Sequence, residues 1–145
     1  QSTIEYLGLK ENVEISGPYG REEAPDLYHR ADILVHTKYK DPCPTVVIEA
    51  MASGLPVVGS ASGGMPELLG DDAGILLPVP DTWDAIPVPD SKELARAIRE
   101  IADDLPRWQR QARVRAVANF DVQLWVRHHR ELFNTLAGRV EQEVY

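Results

Sequence analysis

Two carboxylates, Asp41 and Glu49, bracket a run of seven residues, Pro42-Cys43-Pro44-Thr45-Val46-Val47-Ile48. From Thr45 to Ala52 no residue breaks a helix, and within that span Val46, Val47, Ile48, Ala50 and Met51 are apolar. Only Thr45, Glu49 and Ser53, spaced i, i+4, i+8, form a polar stripe. A carboxylate alone among apolar neighbours either finds a partner in the protein or faces a polar cleft. In the first case Glu49 caps a neighbouring loop or pairs with a Lys or Arg. In the second it meets a ligand. The histidines His29, His36, His128 and His129 have no metal-ligand spacing, and no Ser-His-Asp or Cys-His pattern is present. His36 ends an apolar run on the side where loops build sites in open α/β sheets, although a satisfied structural histidine is the preferred reading of the sequence. Cys43 has Pro44 after it and no base nearby, and reads as a small loop residue.

These residues need elements to hold them. Pro44 suits the first turn of a helix, Gly54 its C-cap, and Pro56 bars continuation before the apolar Val57-Val58. Short strands are expected near Val13–Ser16, Ile33–His36, Val57–Gly59 and Ile75–Leu77. Helical segments are expected ahead of Gly8, over Glu22–Arg30 with Leu27 and Tyr28 inward, and as one turn over Pro66–Leu69. Helix and strand therefore alternate with short connections, which predicts βαβ units and an α/β fold, a Rossmann-like parallel sheet with helices on both faces. Residues 78–90 break the rhythm with four prolines, three aspartates and Trp83, and read as a surface loop. Trp83 either anchors that loop or touches a partner. Residues 91–145 read as three helices: one capped by Ser91, one started by Pro106 with Trp108, Ala112, Val114 and Val117 inward, one capped by Asp121.

The stretch from Asp41 to Glu67 resembles the C-terminal domain of GT-B glycosyltransferases, specifically the large retaining family 4, the group 1 enzymes. The resemblance rests on Asp41 and Glu49, Ala50-Met51-Ala52, Gly54-Leu55-Pro56-Val57-Val58 and Gly63-Gly64-Met65-Pro66-Glu67. The chain departs in carrying Asp41 where the family usually has Glu, and Cys43-Pro44 where it usually has Phe-Gly. The resemblance implies a nucleoside-diphosphate sugar as donor. It assigns Asp41 and Glu49 as the catalytic carboxylates, with Asp41 toward the sugar hydroxyls and Glu49 toward the ribose. It carries donor contacts to Gly17, Pro18 and Tyr19 as the base slot, to Cys43, Thr45 and Val46 at the helix start, and to Gly63 and Gly64. No metal and no cofactor beyond the substrate is implied. Glu49 is expected at the mouth of a cleft that Asp41 and the Gly63-Gly64 loop also line. The implied reaction is retaining transfer of the sugar to an acceptor. The competing reading is a non-catalytic Rossmann-like module that binds a nucleotide or a protein.

Composition narrows the classes. The 145 residues fit one domain, read as residues 1–145, and 43% of them are apolar, enough for a core. A net charge of −8 argues against nucleic acid as partner. The arginine runs Arg107-Arg110-Arg113-Arg115 and Arg127-Arg130 read as solvated helix faces, with an anionic lipid-linked acceptor as the competing reading. One cysteine excludes an intrachain disulfide. No segment reaches transmembrane length. The chain opens on Gln, and against the resemblance it is expected to be an N-terminally incomplete donor domain, without the first strand and helix and without the N-terminal acceptor domain, and inactive alone. The cytoplasm is the expected location, with a membrane surface reached through the acceptor or that second domain.

Overall fold

The computed structural model describes residues 2–142. Three strands, β1 (Leu34–His36), β2 (Val57–Ser60) and β3 (Gly74–Leu77), form one sheet in the order β1-β2-β3. Both pairings are parallel, with Val35 beside Val58 and Val58 beside Ile75. Seven helices are described: α1 (Thr3–Tyr6), α2 (Ala24–His29), α3 (Thr45–Ala52), α4 (Met65–Leu69), α5 (Ser91–Asp103), α6 (Leu105–Asn119) and α7 (Val122–Gln142). The crossover from β1 to β2 is α3 and that from β2 to β3 is α4, as parallel pairing requires.

Strand alternation divides the core. Val57 of β2 packs on one face with Val47 and Met51 of α3, Leu69 of α4 and Ala112 of α6. Its neighbour Val58 points the other way, toward Ala97 and Ile101 of α5 and toward Trp108. Helices thus cover both faces, as the sequence pattern predicts. In α3 the buried Val47, Ala50 and Met51 are spaced i, i+3, i+4 and leave Thr45 and Glu49 exposed. Truncating the fully buried Met51 to alanine costs about 2–5 kcal/mol on the usual scale for core residues. Gly54 terminates α3 at φ +84, its N–H donating to Met51 O at 2.9 Å while Leu55 N–H donates to Ala50 O at 2.9 Å. That double bond to the last turn needs a left-handed residue, which glycine supplies.

Several expectations are corrected. Val13–Ser16 forms no strand; Ile15 is 81% exposed, and the ladder of β1 runs to β2 alone among the described residues. An alternating pattern becomes a strand only where another strand pairs with it. Pro44 is the N-cap of α3 and not its first helical residue. Asp90, not Ser91, caps α5, its Oδ1 accepting from the N–H groups of Lys92 at 2.9 Å and Glu93 at 3.0 Å. Helix α6 starts at Leu105, one residue before Pro106. Val114 and Val117 face outward while Ala116 is buried, because a tight helix–helix contact with α3 favours the smaller residue. The expected cap at Asp121 forms, its Oδ1 accepting from Gln123 N–H at 2.6 Å. The expected domain ran over residues 1–145; residues 1 and 143–145 lie outside the described residues.

Candidate functional site at the carboxyl edge of the sheet

The loops that follow the C-terminal ends of all three strands converge on one cleft of about 690 Å³. Tyr39, Lys40 and Pro42 come from the loop after β1, residues 61–64 from the loop after β2, and Val79, Asp81 and Trp83 from the segment after β3. Open parallel sheets place ligands at this edge. Three hydrogen bonds zip the first two loops together. Ser60 Oγ donates to Thr37 O at 3.1 Å, Lys40 N–H donates to Ser62 Oγ at 3.1 Å, and Gly64 N–H donates to Asp41 O at 2.9 Å. The two glycines are required by this approach. A Cβ on Gly63, which sits at φ +59, would run into the Asp41 backbone, and one on Gly64 would run into the Pro42 carbonyl.

Asp41 is 9% exposed, and its carboxylate is turned toward its own loop. Lys38 Nζ lies 3.1 Å from Asp41 Oδ2, and His36 Nε2 lies 3.3 Å from the same oxygen. The His36 Nε2 atom is buried and makes no well-aligned hydrogen bond, so this contact is an ion pair only when the imidazole is charged. His36 is thus partnered by proximity to Asp41 and not by a satisfied hydrogen bond. Pocket-lining residues include Gly63 and Gly64 but neither Asp41 nor Glu49.

Glu49 faces a different neighbour. Tyr28 of α2 donates its hydroxyl to Glu49 Oε2 at 2.8 Å. Burial, then the bond to Glu49, then the adjacent Tyr19 phenol push the Tyr28 hydroxyl well above its ordinary pKa, so it stays a donor. Tyr28 is therefore bonded to one expected site residue, Glu49, and lies beside another, Tyr19. The sequence marks Tyr28 only as an inward residue of a short helix; its spacing from Glu49 carries no local signal. Pro18 and Tyr19 line a smaller cavity of about 230 Å³ with Ser16, Glu23 and Arg30, and Gly17 beside them sits at φ +73. Cys43 and Thr45 are exposed at the start of α3, and Val46 is half-buried. No side chain caps this helix start, so the N–H groups of Thr45 and Val46 remain open to an incoming acceptor.

The arginine runs divide. Arg113 donates to Ala52 O at the end of α3, and Arg115 donates to Leu68 O at 3.1 Å and Glu67 O at 2.6 Å at the end of α4. Cations at helix C-termini satisfy the last carbonyls and oppose the dipole. Arg113 and Arg115 are thereby fold residues that pin α6 to α3 and α4, a role the solvated-face reading missed. His129, also read as solvated, stacks on Trp125 at 3.8 Å. Among the described residues no three His, Cys, Asp or Glu side chains converge as metal ligands, and no helix is long and apolar enough to cross a membrane.

With this geometry in view, residues 1–116 match the family profile described as glycosyl transferases group 1. The D-inositol 3-phosphate glycosyltransferase of Mycobacteroides abscessus is 38% identical over 79 residues, 54% of this chain and 18% of that protein. Among solved structures, the sucrose-phosphate synthase of Thermosynechococcus elongatus superposes with a TM-score of 0.74 at 27% identity, covering 94% of this chain and 33% of that one. The Anabaena protein HepE, solved with UDP and glucose, superposes with a TM-score of 0.72 at 29% identity over 93% of this chain and 34% of its own. The chain thus spans about a fifth of the length of that curated relative and about a third of each solved chain.

Proposed function

The chain belongs to the group 1 glycosyl transferases, and from that premise we propose that it is the donor-binding domain of a retaining glycosyltransferase that takes a nucleoside-diphosphate sugar. The observation that carries the reading is the clasp of the Gly63-Gly64 loop onto Asp41 and Pro42 beside the uncapped start of α3. It leaves backbone N–H groups and a helix N-terminus at the carboxyl edge of the sheet, the arrangement that suits a diphosphate. HepE, which binds UDP-glucose in its crystals, supports the ligand class.

In this reading the diphosphate lies against the N–H groups of Thr45 and Val46 and the Gly63-Gly64 loop, with Cys43 in contact. Glu49, held by Tyr28, accepts the vicinal ribose hydroxyls, and Gly17, Pro18 and Tyr19 form the base slot. Asp41 accepts from the sugar hydroxyls, with Lys38 beside it as a counter-cation. Transfer breaks the bond between the anomeric carbon and the diphosphate oxygen, which leaves with the electron pair. The acceptor oxygen forms the new bond on the same face and gives up its proton to the departing diphosphate. The reading uses no metal and no resident cofactor; helix ends and cations meet the leaving group. A second domain holds the acceptor, and the 145 residues by themselves bind nucleotide without turning over, because positioning of the two substrates supplies about 7–11 kcal/mol of such a barrier. The protein works in the cytoplasm, with a membrane surface as a further contact through its acceptor.

The commitment of the Asp41 carboxylate to His36 and Lys38 favours one second reading, a nucleotide-binding module without catalysis. One titration separates them. The chain with UDP, GDP and their sugar conjugates, followed by NMR, is expected to shift Gly17–Tyr19, Asp41–Glu49 and Ser60–Glu67 with dissociation constants near about 1 mM, or about 4 kcal/mol. Shifts confined elsewhere overturn the site. Donor hydrolysis or transfer by the full-length protein supports the enzyme, and nucleotide binding with neither supports the module.

A further inference from the structure

Residues 78–90 contain no helix or strand, yet they are fastened. The Tyr39 hydroxyl accepts from Thr82 N–H at 2.8 Å and has Thr82 O at 2.9 Å and Asp81 Oδ1 at 3.2 Å as acceptors for its own proton. Lys40 Nζ lies 2.7 Å from Asp81 Oδ1 and 3.5 Å from the centroid of the Trp83 ring. Lys40 reaches both from φ +50, the one left-handed non-glycine backbone among the described residues. Such a conformation costs energy and persists where surrounding contacts impose it. The consequence is a strap across the carboxyl edge of the sheet, and the strap is one wall of the 690 Å³ cleft.

Trp83 is the largest side chain on that wall, and it is 88% exposed. It is not the buried anchor of its loop; Tyr39 and Lys40 do that work. Lys40 covers one face of the indole and the other face is open. Around the same cleft stand a hydroxyl, Ser62, and two carboxylates, Glu67 and Asp81. An open aromatic face beside hydroxyl and carboxylate groups matches one ligand chemistry well. A pyranose ring presents C–H groups on its face, which the negative face of an indole attracts, and hydroxyls at its rim.

We propose that the 78–90 segment is a sugar-recognising wall, in which Tyr39 and Lys40 fasten the strap and Trp83 stacks on the pyranose ring of a substrate. The inference deepens the donor reading and rests on it for the presence of a sugar in this cleft. The pyranose belongs to the donor or to a saccharide acceptor, and the two sources are separable by experiment.

The test uses the full-length protein, its Trp83→Ala, Trp83→Phe and Tyr39→Phe variants, and three probe sets: UDP and GDP, their glucose and mannose conjugates, and methyl glycosides of the same sugars. Affinities come from calorimetry and the Trp83 indole N–H from NMR. The expected result is an about tenfold weaker affinity of Trp83→Ala for a sugar-bearing probe, unchanged affinity for the bare nucleotide, and recovery of most of the loss in Trp83→Phe. Tyr39→Phe, which keeps the indole but loosens the strap, is expected to fall between. A loss confined to nucleotide sugars assigns the ring to the donor; a loss seen with methyl glycosides assigns it to an acceptor. Equal losses for bare and sugar-bearing nucleotide, or no loss at all, overturn the proposal. If the parent protein binds no nucleotide, the donor reading fails by itself. The wall then stands only if a methyl glycoside moves the Trp83 indole signal, and falls if none does.

Discussion

The two sides of the proposed donor site hold their residues by different means. On the sugar and phosphate side, main chain sets the approach: Gly63 and Gly64 press on the Asp41 and Pro42 main chain, Gly64 N–H bonds to Asp41 O, and the hydroxyls of Ser60 and Ser62 add one bond each to backbone groups of the loop after β1. On the ribose and base side, side chains hold side chains, with Tyr28 bonded to Glu49 and beside Tyr19. The first side grows from a core with Met51, Val57 and Leu69 fully buried. The second rests on an N-terminal segment in which Val13, Ile15 and Tyr19 are exposed. The backbone-built side therefore tolerates few substitutions, and the side-chain-built side tolerates many at a graded cost.

The sharpest way to break this comparison is Gly63→Ala. The new Cβ would meet the Asp41 main chain, and φ +59 disfavours any L side chain. Overpacking of about 1–3 kcal/mol and a left-handed penalty of about 1–2 kcal/mol add to roughly 2–5 kcal/mol. Chemical denaturation should show that loss, with donor binding falling below detection. A stability within about 0.5 kcal/mol of the parent would mean that the loop moves freely and that the clasp does not shape the site.

Next in size is Glu49→Ala, which in the full-length protein is expected to raise the donor KM by one to two orders of magnitude. That is roughly 1.4–2.7 kcal/mol, the range of a charge-assisted hydrogen bond. Stability should change little, because Glu49 is exposed. Tyr28→Phe removes only the hydroxyl that holds the carboxylate and is expected to raise KM by about three- to tenfold, or about 0.7–1.4 kcal/mol, with kcat kept. If Tyr28→Phe costs stability and leaves KM alone, the pair is a structural tie between α2 and α3, and the two sides of the site cease to be comparable.

The same contrast explains what could be read from the chain in advance. The stretch from Asp41 to Glu67 is legible because backbone demands leave marks on residue type: glycine where a Cβ would collide, Pro56 where a helix must stop, Val57 and Val58 where a strand is covered on both faces. Strand β2 and its crossover helices α3 and α4 follow from it, and the alternating pattern on either side supplies β1 and β3. Val13–Ser16 misleads because strand formation depends on a pairing that no local pattern reports. Tyr28 on Glu49, Lys38 and His36 on Asp41, and Lys40 on Asp81 join residues whose types are common on any surface. Only the folded chain brings them together. The expectation that one cleft is lined by Asp41, Glu49 and Gly63-Gly64 together came from the isolation of Glu49 on an otherwise apolar helix, and here the 690 Å³ cleft takes the glycines and the strap while the carboxylates stand outside its lining.

The smallest effect concerns the strap, a third kind of attachment, by charge at the surface. Lys40 and, after it, Tyr39 hold the Asp81 carboxyl below the usual carboxylate range, and Asp81 in turn raises Lys40. The signs fix a window. A depressed carboxyl contributes above its unfolded pKa of about 3.9, and the contribution fades as pH falls through the lowered folded value. A raised lysine contributes below its unfolded pKa of about 10.4, and that contribution fades as pH rises through the raised value. The Trp83 indole signal is therefore expected to stay constant from about pH 5 to about pH 9 and to move below about pH 4. Asp81→Asn should abolish the acid limb at Trp83 while leaving the buried Trp108 signal unchanged, which separates release of the strap from acid unfolding. Because Asp81 is 88% exposed, the pair is screened, and raising salt from about 0.15 M to about 1 M should shift Trp83 in the same direction as acid. A Trp83 signal indifferent to acid, salt and Asp81→Asn alike would show that the Tyr39 hydroxyl alone fastens the strap, and would move the third kind of attachment into the class of hydrogen-bonded side chains that holds Glu49.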